Sequence, residues 1–322
     1  MRRSMNILRA GLVSLALCLG MSAAQAEYPD HAIKAIVPFP PGGGTDIFGR
    51  LIGQQLAMTL NQSVVIENRS GADGNIGMEA TARSAPDGYT LLMNSSAATV
   101  NPVMYSKLRF DAVNDLVPVA VVCEYYNVIV INPEKTRVRN LAEFVDLIRK
   151  NPGKLNAAAG GSRLPIDMFR LQNSLDVAVI PYRGGGDAIL ALLQGEADFM
   201  IVNTPGIIGH MKAGKLRALA VTAPQRQWDI PDVPTTREAG MPDYNYGSFF
   251  AVYTRAGTPP EVLRKLNAAI NTITAKPEVI RTLREGGAEP VQRSTEEALR
   301  KYQGEIARLK DIVVRAKLPM VD

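Results

Sequence analysis

Short apolar runs alternate with amphipathic ones along most of the chain, and this alternation predicts the elements. AIKAIVPF (32–39), SVVIEN (63–68) and GYTLLMN (88–94) are short, apolar or β-branched, and bounded by Gly, Asn or Pro, which predicts strands. From about Asp46, the residues Phe48, Leu51, Ile52 and Leu56 recur at helical spacing, so a helix is expected between the first two strands. A second helix is expected from near Asn75 to the turn at Pro86-Asp87-Gly88. Further on, Asn140 and Glu143 have capping-box spacing ahead of LAEFVDLIRK. The runs LNAAA, VAVIPY, DFMIV and LRALAVT then alternate with the helical patterns LPIDMFRLQNS, GGDAILALLQG and PGIIGHMKAG. Such a βα series implies a mainly parallel sheet with helices on its faces, and sheets of that kind bind ligands outside the carboxyl ends of their strands. After Pro224 a polar, Pro-rich stretch reads as surface loop. It is followed by a strand, SFFAVYT, and three helical patterns running to about residue 314.

The first 26 residues do not fit this scheme. Arg2, Arg3 and Arg9 precede or flank a short apolar core, and Ala24-Gln25-Ala26 has the form of a cleavage site, which predicts a secretory signal peptide cut after Ala26. The apolar core is too short for a membrane span. This leader contributes three of the positive charges behind the overall +5, so the basic balance is no argument for nucleic acid. Of the two cysteines only Cys123 lies beyond it, inside the apolar run VPVAVVCEYY, where it reads as a buried small hydrophobe.

Enzyme templates fit poorly. The loop PFPPGGGTD (38–46) lacks both the Gly-Lys-Ser/Thr ending of a phosphate loop and dinucleotide-type glycine spacing. No G-x-S-x-G elbow occurs, and the two histidines, His31 and His210, sit in no cluster with metal-ligand spacing. Instead, loops rich in glycine and small hydroxyl residues follow several strands: PPGGGTD, NSSAAT (94–99), AAGGSRLP (158–165), YRGGGDA (182–188) and VNTPG (202–206). Glycine lets a ligand approach the unpaired N–H groups at a helix start, and the helix dipole favours an anion there. One such loop is ordinary turn geometry, whereas five at equivalent positions point to a shared anion-binding cleft. Arg163 and Arg183 each have the fork that clamps a carboxylate. Asp46 and Asp187 would repel an anion, so Asp46 reads as a helix cap or as the holder of a bridging water.

At this point the residues resemble a known family. VPFPPGGGTD, ENRSGADGNIGMEATARSAPDGYTLL, PYRGGGDAILALLQGEADFM, GKLRALAVT, and DVPTTREAGMPDY followed by RAGTPPEVLRKLN are similar to the periplasmic solute-binding proteins of tripartite tricarboxylate transporters, the Bug family. The resemblance covers nearly the whole chain after the leader. It implies an α/β fold of the two-lobed periplasmic-binding-protein kind (type II), a clamshell with two crossing strands as its hinge, placed near residues 125 and 247. Domain 1 would then be discontinuous, residues 27–125 plus 248–322, with domain 2 at 126–247. The implied function is capture of a small organic carboxylate in the periplasm for inner-membrane transporter subunits, by a monomer without cofactor or nucleic-acid partner and without enzymatic activity. Carried onto this sequence, the implied ligand contacts are Phe39, Gly43, Gly44 and Asp46 in the first loop. Ser96, Ser162, Tyr182, Gly184, Gly185 and Asn203 follow from the others. The loop AAAGGSRLPIDMF (157–169) departs from the family pattern: it is one residue short, with Pro165 near the family's histidine. Arg163 lies in that altered loop and is expected to make a ligand-specific contact. Two other classes share these features, a ligand sensor for a signalling system and an exported hydrolase, and the scarcity of histidine argues against the second.

Overall fold

The computed structural model describes residues 27–321 apart from Ser96, Gly161, Pro205 and Ala316. The expected leader and Ser96 therefore lie outside the described residues. The fold is α/β and two-lobed, with strands joined edge to edge from one lobe into the other.

In the first lobe, β1 (Ile33–Val37) pairs in parallel with β2 (Val64–Asn68) and β3 (Thr90–Asn94). β3 then pairs antiparallel with β9 (Gly247–Arg255), which runs against β4 (Leu116–Ile131). Side chains alternate across this sheet, as the pleat requires. Ala35, Val37, Leu91 and Met93 pack with Phe48, Ile52 and Leu56 of α1 (Gly44–Leu60) and with helices α9 (Pro260–Thr274) and α10 (Pro277–Glu285). Ile36, Leu92 and Tyr253 face the other way, onto α2 (Asn75–Ala82), α3 (Ala97–Met104), the short α4 (Ala112–Asp115) and α11 (Thr295–Arg315). Burying each large apolar side chain contributes about 1.5–3 kcal/mol, so both faces are strongly specified.

β4 joins the lobes. Its residues 116–126 pair with β9, whereas 127–131 pair antiparallel with β7 (Phe199–Asn203) and β8 (Arg217–Val221). Beyond it, β5 (Asn156–Ala159) pairs in parallel with β7 and with β6 (Ala178–Pro181). The expected mainly parallel sheet is thus interrupted by the antiparallel β4. Val128, Val130, Ala158 and Met200 pack on α7 (Gly185–Leu193) and α8 (Ile208–Lys212). Ile129, Ile131, Ala157 and Phe199 face α5 (Leu141–Lys150) and α6 (Leu164–Gln172). The spacing Asn140–Glu143 does cap α5: the Asn140 Oδ1 accepts from the Glu143 N–H at 2.8 Å, while the Glu143 carboxylate reaches back to the Arg139 N–H at 2.9 Å. Cys123 is fully buried on β4, where burial pushes its thiol pKa up.

Two threonines tie the strand crossings. The Thr222 hydroxyl accepts from the Asn127 N–H at 2.9 Å and lies 2.5 Å from the Tyr246 carbonyl, just ahead of β9. The buried Thr204 hydroxyl, past the end of β7, donates to the Gly287 carbonyl at 2.6 Å, beyond α10.

Candidate functional site

The pairing register sends the parallel strands of both lobes toward one place. Asn203, at the carboxyl end of β7, lies opposite Asn127, next to the point where β4 changes sheets. β3 runs antiparallel to β9, with Asn94 opposite Ala251, so its carboxyl end also points toward the Gly247 end of β9 and the crossing. The loops that follow β1, β3, β5, β6 and β7 therefore approach the same region from the two lobes, the position where open α/β sheets bind ligands.

On one side the loop 38–46 turns at Gly42, whose φ of 88° is a left-handed value that a side chain disfavours. α1 begins at Gly44 with Gly43 as its N-cap and no side chain capping it, so the first-turn N–H groups stay open. Asp46 does not serve as the expected N-cap. It lies two residues inside the helix, 3 % exposed, and its Oδ2 accepts from the Gly42 N–H at 3.0 Å and from Arg50 Nε at 2.9 Å. Its Oδ1 accepts from Asn68 Nδ2 at 2.8 Å, and that amide also donates to the Phe39 carbonyl at 2.9 Å. Burial opposes the charge on Asp46, but the bonds from Arg50, Asn68 and the Gly42 N–H outweigh it and hold the carboxyl below the usual carboxylate range. Both oxygens are thus occupied in shaping the loop. Phe39 packs beside Gly74 of the neighbouring loop. The Thr45 and Ser95 hydroxyls lie 3.0 Å apart, which fixes the start of α1 against the end of β3.

This arrangement predicts a stability effect. Asp46→Asn should cost about 2 kcal/mol at neutral pH, the typical worth of hydrogen bonds to a charged group. A lowered folded pKa gives stability that is fully present above the unfolded value of about 3.9 and lost as pH falls through the folded value. The difference between wild type and variant, read from urea denaturation, should therefore shrink below about pH 4.

On the other side two loops lock together. A Cβ on Gly160 would come within 2.7 Å of the Gly185 Cα and 2.8 Å of the Gly184 carbonyl oxygen, and the Tyr182 N–H donates to the Ala159 carbonyl at 2.8 Å. α7 starts after Gly184 without a side-chain cap, so its first N–H groups are open as well. The Ser162 hydroxyl accepts from the Leu164 N–H at 3.2 Å at the start of α6. Arg163 is not a free cation: its Nε and Nη2 hold both oxygens of the fully buried Asp167 at 2.6 and 3.1 Å. Arg170 Nε binds the same carboxylate at 2.8 Å, so the trio carries one net positive charge, and the Nη1 edge of Arg163 has no partner among the described residues. Arg183 pairs with Asp187 at 3.0 Å in solvent, with 93 % of its side chain exposed, and is a surface charge.

A cavity of about 260 Å³ lies between the lobes, and neither the loop 38–46 nor Gly184 and Gly185 is among the residues that line it. Ala159, Ser162, Arg163, Val179 and Tyr182 line it from the second lobe, and Asp73, Val100, Met104 and Tyr105 line it from the first. A larger hollow of about 340 Å³ around Arg183 and Leu190 is a shallow surface feature of the second lobe alone. Of the expected contacts, Ser162, Arg163 and Tyr182 line the cavity, and Gly184 and Gly185 sit against Gly160. Phe39, Gly43 and Gly44 belong to the opposing loop, and Asn203 ends β7. Asp73, Asn101 and Tyr105 were not expected. They come together only through the packing of α3 against the loop 71–74, although the acid in GADG is a signal visible in the sequence. No group of three or more His, Cys, Asp and Glu residues that could hold a metal ion occurs among the described residues.

A two-lobed α/β chain whose parallel strands point their carboxyl ends, and the glycine-rich loops that follow, toward the crossing between the lobes has the architecture of the periplasmic binding proteins. This chain belongs to the tripartite tricarboxylate transporter family receptors, whose family model matches residues 48–318. It is 37 % identical over 292 residues to protein BugT of Bordetella pertussis, covering 89 % of each chain. Among solved structures it is similar to R. palustris Rpa4515 with adipate, at 30 % identity and a TM-score of 0.87, covering 92 % of this chain and 100 % of the other. It also resembles MatC (Rpa3494) from Rhodopseudomonas palustris with bound malate, at 31 % identity and a TM-score of 0.83, with 89 % and 100 % covered.

Proposed function

We propose that this protein captures a small organic carboxylate between its lobes in the periplasm and delivers it to inner-membrane transporter subunits, without transforming it. The observation that carries the reading is the pair of uncapped, glycine-opened helix starts, α1 and α7, on loops that follow the carboxyl ends of β1 and β6, which point toward the crossing from opposite lobes. Open backbone N–H groups at a helix start hold an anion without a dedicated charge. The adipate and malate bound in similar structures favour a carboxylate as that anion.

In this account the leader is removed after Ala26 and the protein acts as a monomer. Residues 27–125 with 248–322 form one lobe and 126–247 the other. Phe39, Gly43 and Gly44 offer one jaw, and Ser162, Arg163, Tyr182, Gly184, Gly185 and Asn203 the other. Asp46 acts by positioning the first jaw. Closure is a population shift toward the form that the ligand contacts on both sides.

The test is a thermal-shift screen of the exported, ligand-free protein against aliphatic, aromatic and amino-acid carboxylates. A ligand at 100 times its Kd stabilises by about 2.7 kcal/mol. A clear rise in Tm for one chemical class supports the reading, and no rise with any carboxylate contradicts it.

Closure also has a built-in reporter. Trp228, the only tryptophan of the sequence, is 54 % exposed, and the Arg284 guanidinium lies 5.8 Å from its ring centroid. The two residues belong to opposite proposed lobes. Addition of ligand should change the Trp228 emission, and Arg284→Ala should abolish most of that change while leaving affinity within about fivefold, because an exposed cation–π contact contributes only about 0.5–1 kcal/mol. Emission that is indifferent to a ligand known to bind would contradict a motion between these faces.

A further inference from the structure

The cavity is asymmetric in charge, and that asymmetry speaks to which carboxylate it takes. On the second-lobe wall stands Arg163, part of the Arg163–Asp167–Arg170 trio with its net positive charge and open Nη1 edge. On the first-lobe wall Asp73, solvent-exposed on its outer side, lies beside Tyr105, with the apolar side chains of Val100, Met104 and Val179 also lining the cavity.

Asp73 is held there by specific bonds. The Tyr105 hydroxyl donates to its Oδ2 at 2.7 Å, and Asn101 Nδ2 donates to its carbonyl at 2.9 Å. Its backbone sits at φ 50°, ψ 35°, a left-handed conformation that aspartate adopts more readily than most residues, with Ala72 beside it at φ 47°. Tyr105 leaves Asp73 Oδ1 without a partner among the described residues, and its own hydroxyl proton is taken. What this wall offers a ligand is therefore an acceptor with negative charge.

We propose that the cleft selects a monocarboxylate bearing an ammonium or similar N–H donor at its far end, with the carboxylate toward Arg163 and the donor on Asp73. The proposal rests on the carboxylate reading above and sharpens it. A dicarboxylate of the same length would place its second charge against Asp73 with no cation to offset it, and like charges in one site oppose each other. A donor there makes a charge-assisted bond instead. The small cavity, below the 300 Å³ or so typical of ligand pockets, fits a compact molecule of this kind.

Calorimetric titration of the exported wild-type protein with matched sets tests this: γ-aminobutyrate, succinate and butyrate, then ε-aminocaproate, adipate and caproate. In at least one set the amino acid should bind at least about tenfold more tightly than the dicarboxylate, the scale of one hydrogen bond to a charged group. Asp73→Asn should reduce that preference to within about twofold and leave the plain monocarboxylate unchanged. Dicarboxylates that bind more tightly in both sets, or a preference that survives in Asp73→Asn, overturn the proposal while leaving the carboxylate reading intact. Failure of all six acids to bind overturns both. The wild-type comparison alone decides the matter if the variant does not fold.

Discussion

Gly160→Ala should abolish most ligand binding, with an affinity loss of about 100-fold or more, whereas Gly184→Ala, four residues from Ala188 in the facing loop, should be nearly silent in stability. A Cβ at 160 meets the Gly185 Cα at 2.7 Å, the Ala188 Cβ at 2.8 Å and the Gly184 carbonyl oxygen at 2.8 Å. Two of those atoms are backbone and cannot rotate aside, so the start of α7 must move. Overpacking of this kind costs about 1–3 kcal/mol of stability. The larger effect falls on binding, because the displaced segment carries the open N–H groups of Gly185 and its neighbours; a loss of about 2.7 kcal/mol corresponds to 100-fold. A Cβ at Gly184 meets nothing within 4 Å, and its φ of −177° is extended backbone open to any residue. Gly184→Ala should therefore stay within about 0.5 kcal/mol of wild type in urea denaturation. Equal affinity in wild type and Gly160→Ala would show that the two locked loops do not form a jaw.

Gly287→Ala should be the most destabilising single methyl addition at the hinge, by about 3 kcal/mol or more. The position has φ 79°, which costs a non-glycine residue about 1–2 kcal/mol. Its added Cβ would also lie 2.6 Å from both the Cβ and the Oγ1 of Thr204, and the bond from Thr204 to the Gly287 carbonyl is the tie between β7 and the segment after α10. Contact and backbone strain can be separated with Gly206→Ala, since Gly206 has φ 94° and nothing within 4 Å. Gly206→Ala carries the strain alone, and the excess loss in Gly287→Ala is the wedge. The wedge should also weaken ligand binding, because it pushes apart elements of the two proposed lobes. Gly287→Ala with the stability of Gly206→Ala would mean that the Thr204 contact is soft and sets nothing.

The sequence made the alternation of elements legible, because its strands and helices have distinct periods and clear Gly, Asn or Pro boundaries. It did not reveal α3. That helix has eight residues, includes Pro102, and buries seven of them, so it carries no one-sided apolar stripe. Nor did period reveal where β4 changes partners, since nearly all of its residues are buried and both halves read as one apolar run. At the site, the glycine loops were visible as places where backbone is exposed. The role of Asp46 was not, because its partners Asn68 and Arg50 meet only once β2 lies beside α1. The pairing of Arg163 with Asp167 is legible in the sequence as an i, i+4 pair at a helix start, and it occupies the edge that a free carboxylate clamp would need. Asp73 and Tyr105 lie 32 residues apart, and only tertiary packing makes them one wall of a cavity.

The most direct measurement is a calorimetric titration of the exported, ligand-free protein with the carboxylate that gives the largest thermal shift, run beside its methyl ester. The account predicts one binding site per chain for the acid and binding at least about 100-fold weaker for the ester, because the open N–H groups and Arg163 engage the anion itself. Equal affinity for acid and ester would contradict it, since a cleft that ignores the carboxylate is not the anion clamp proposed for these loops.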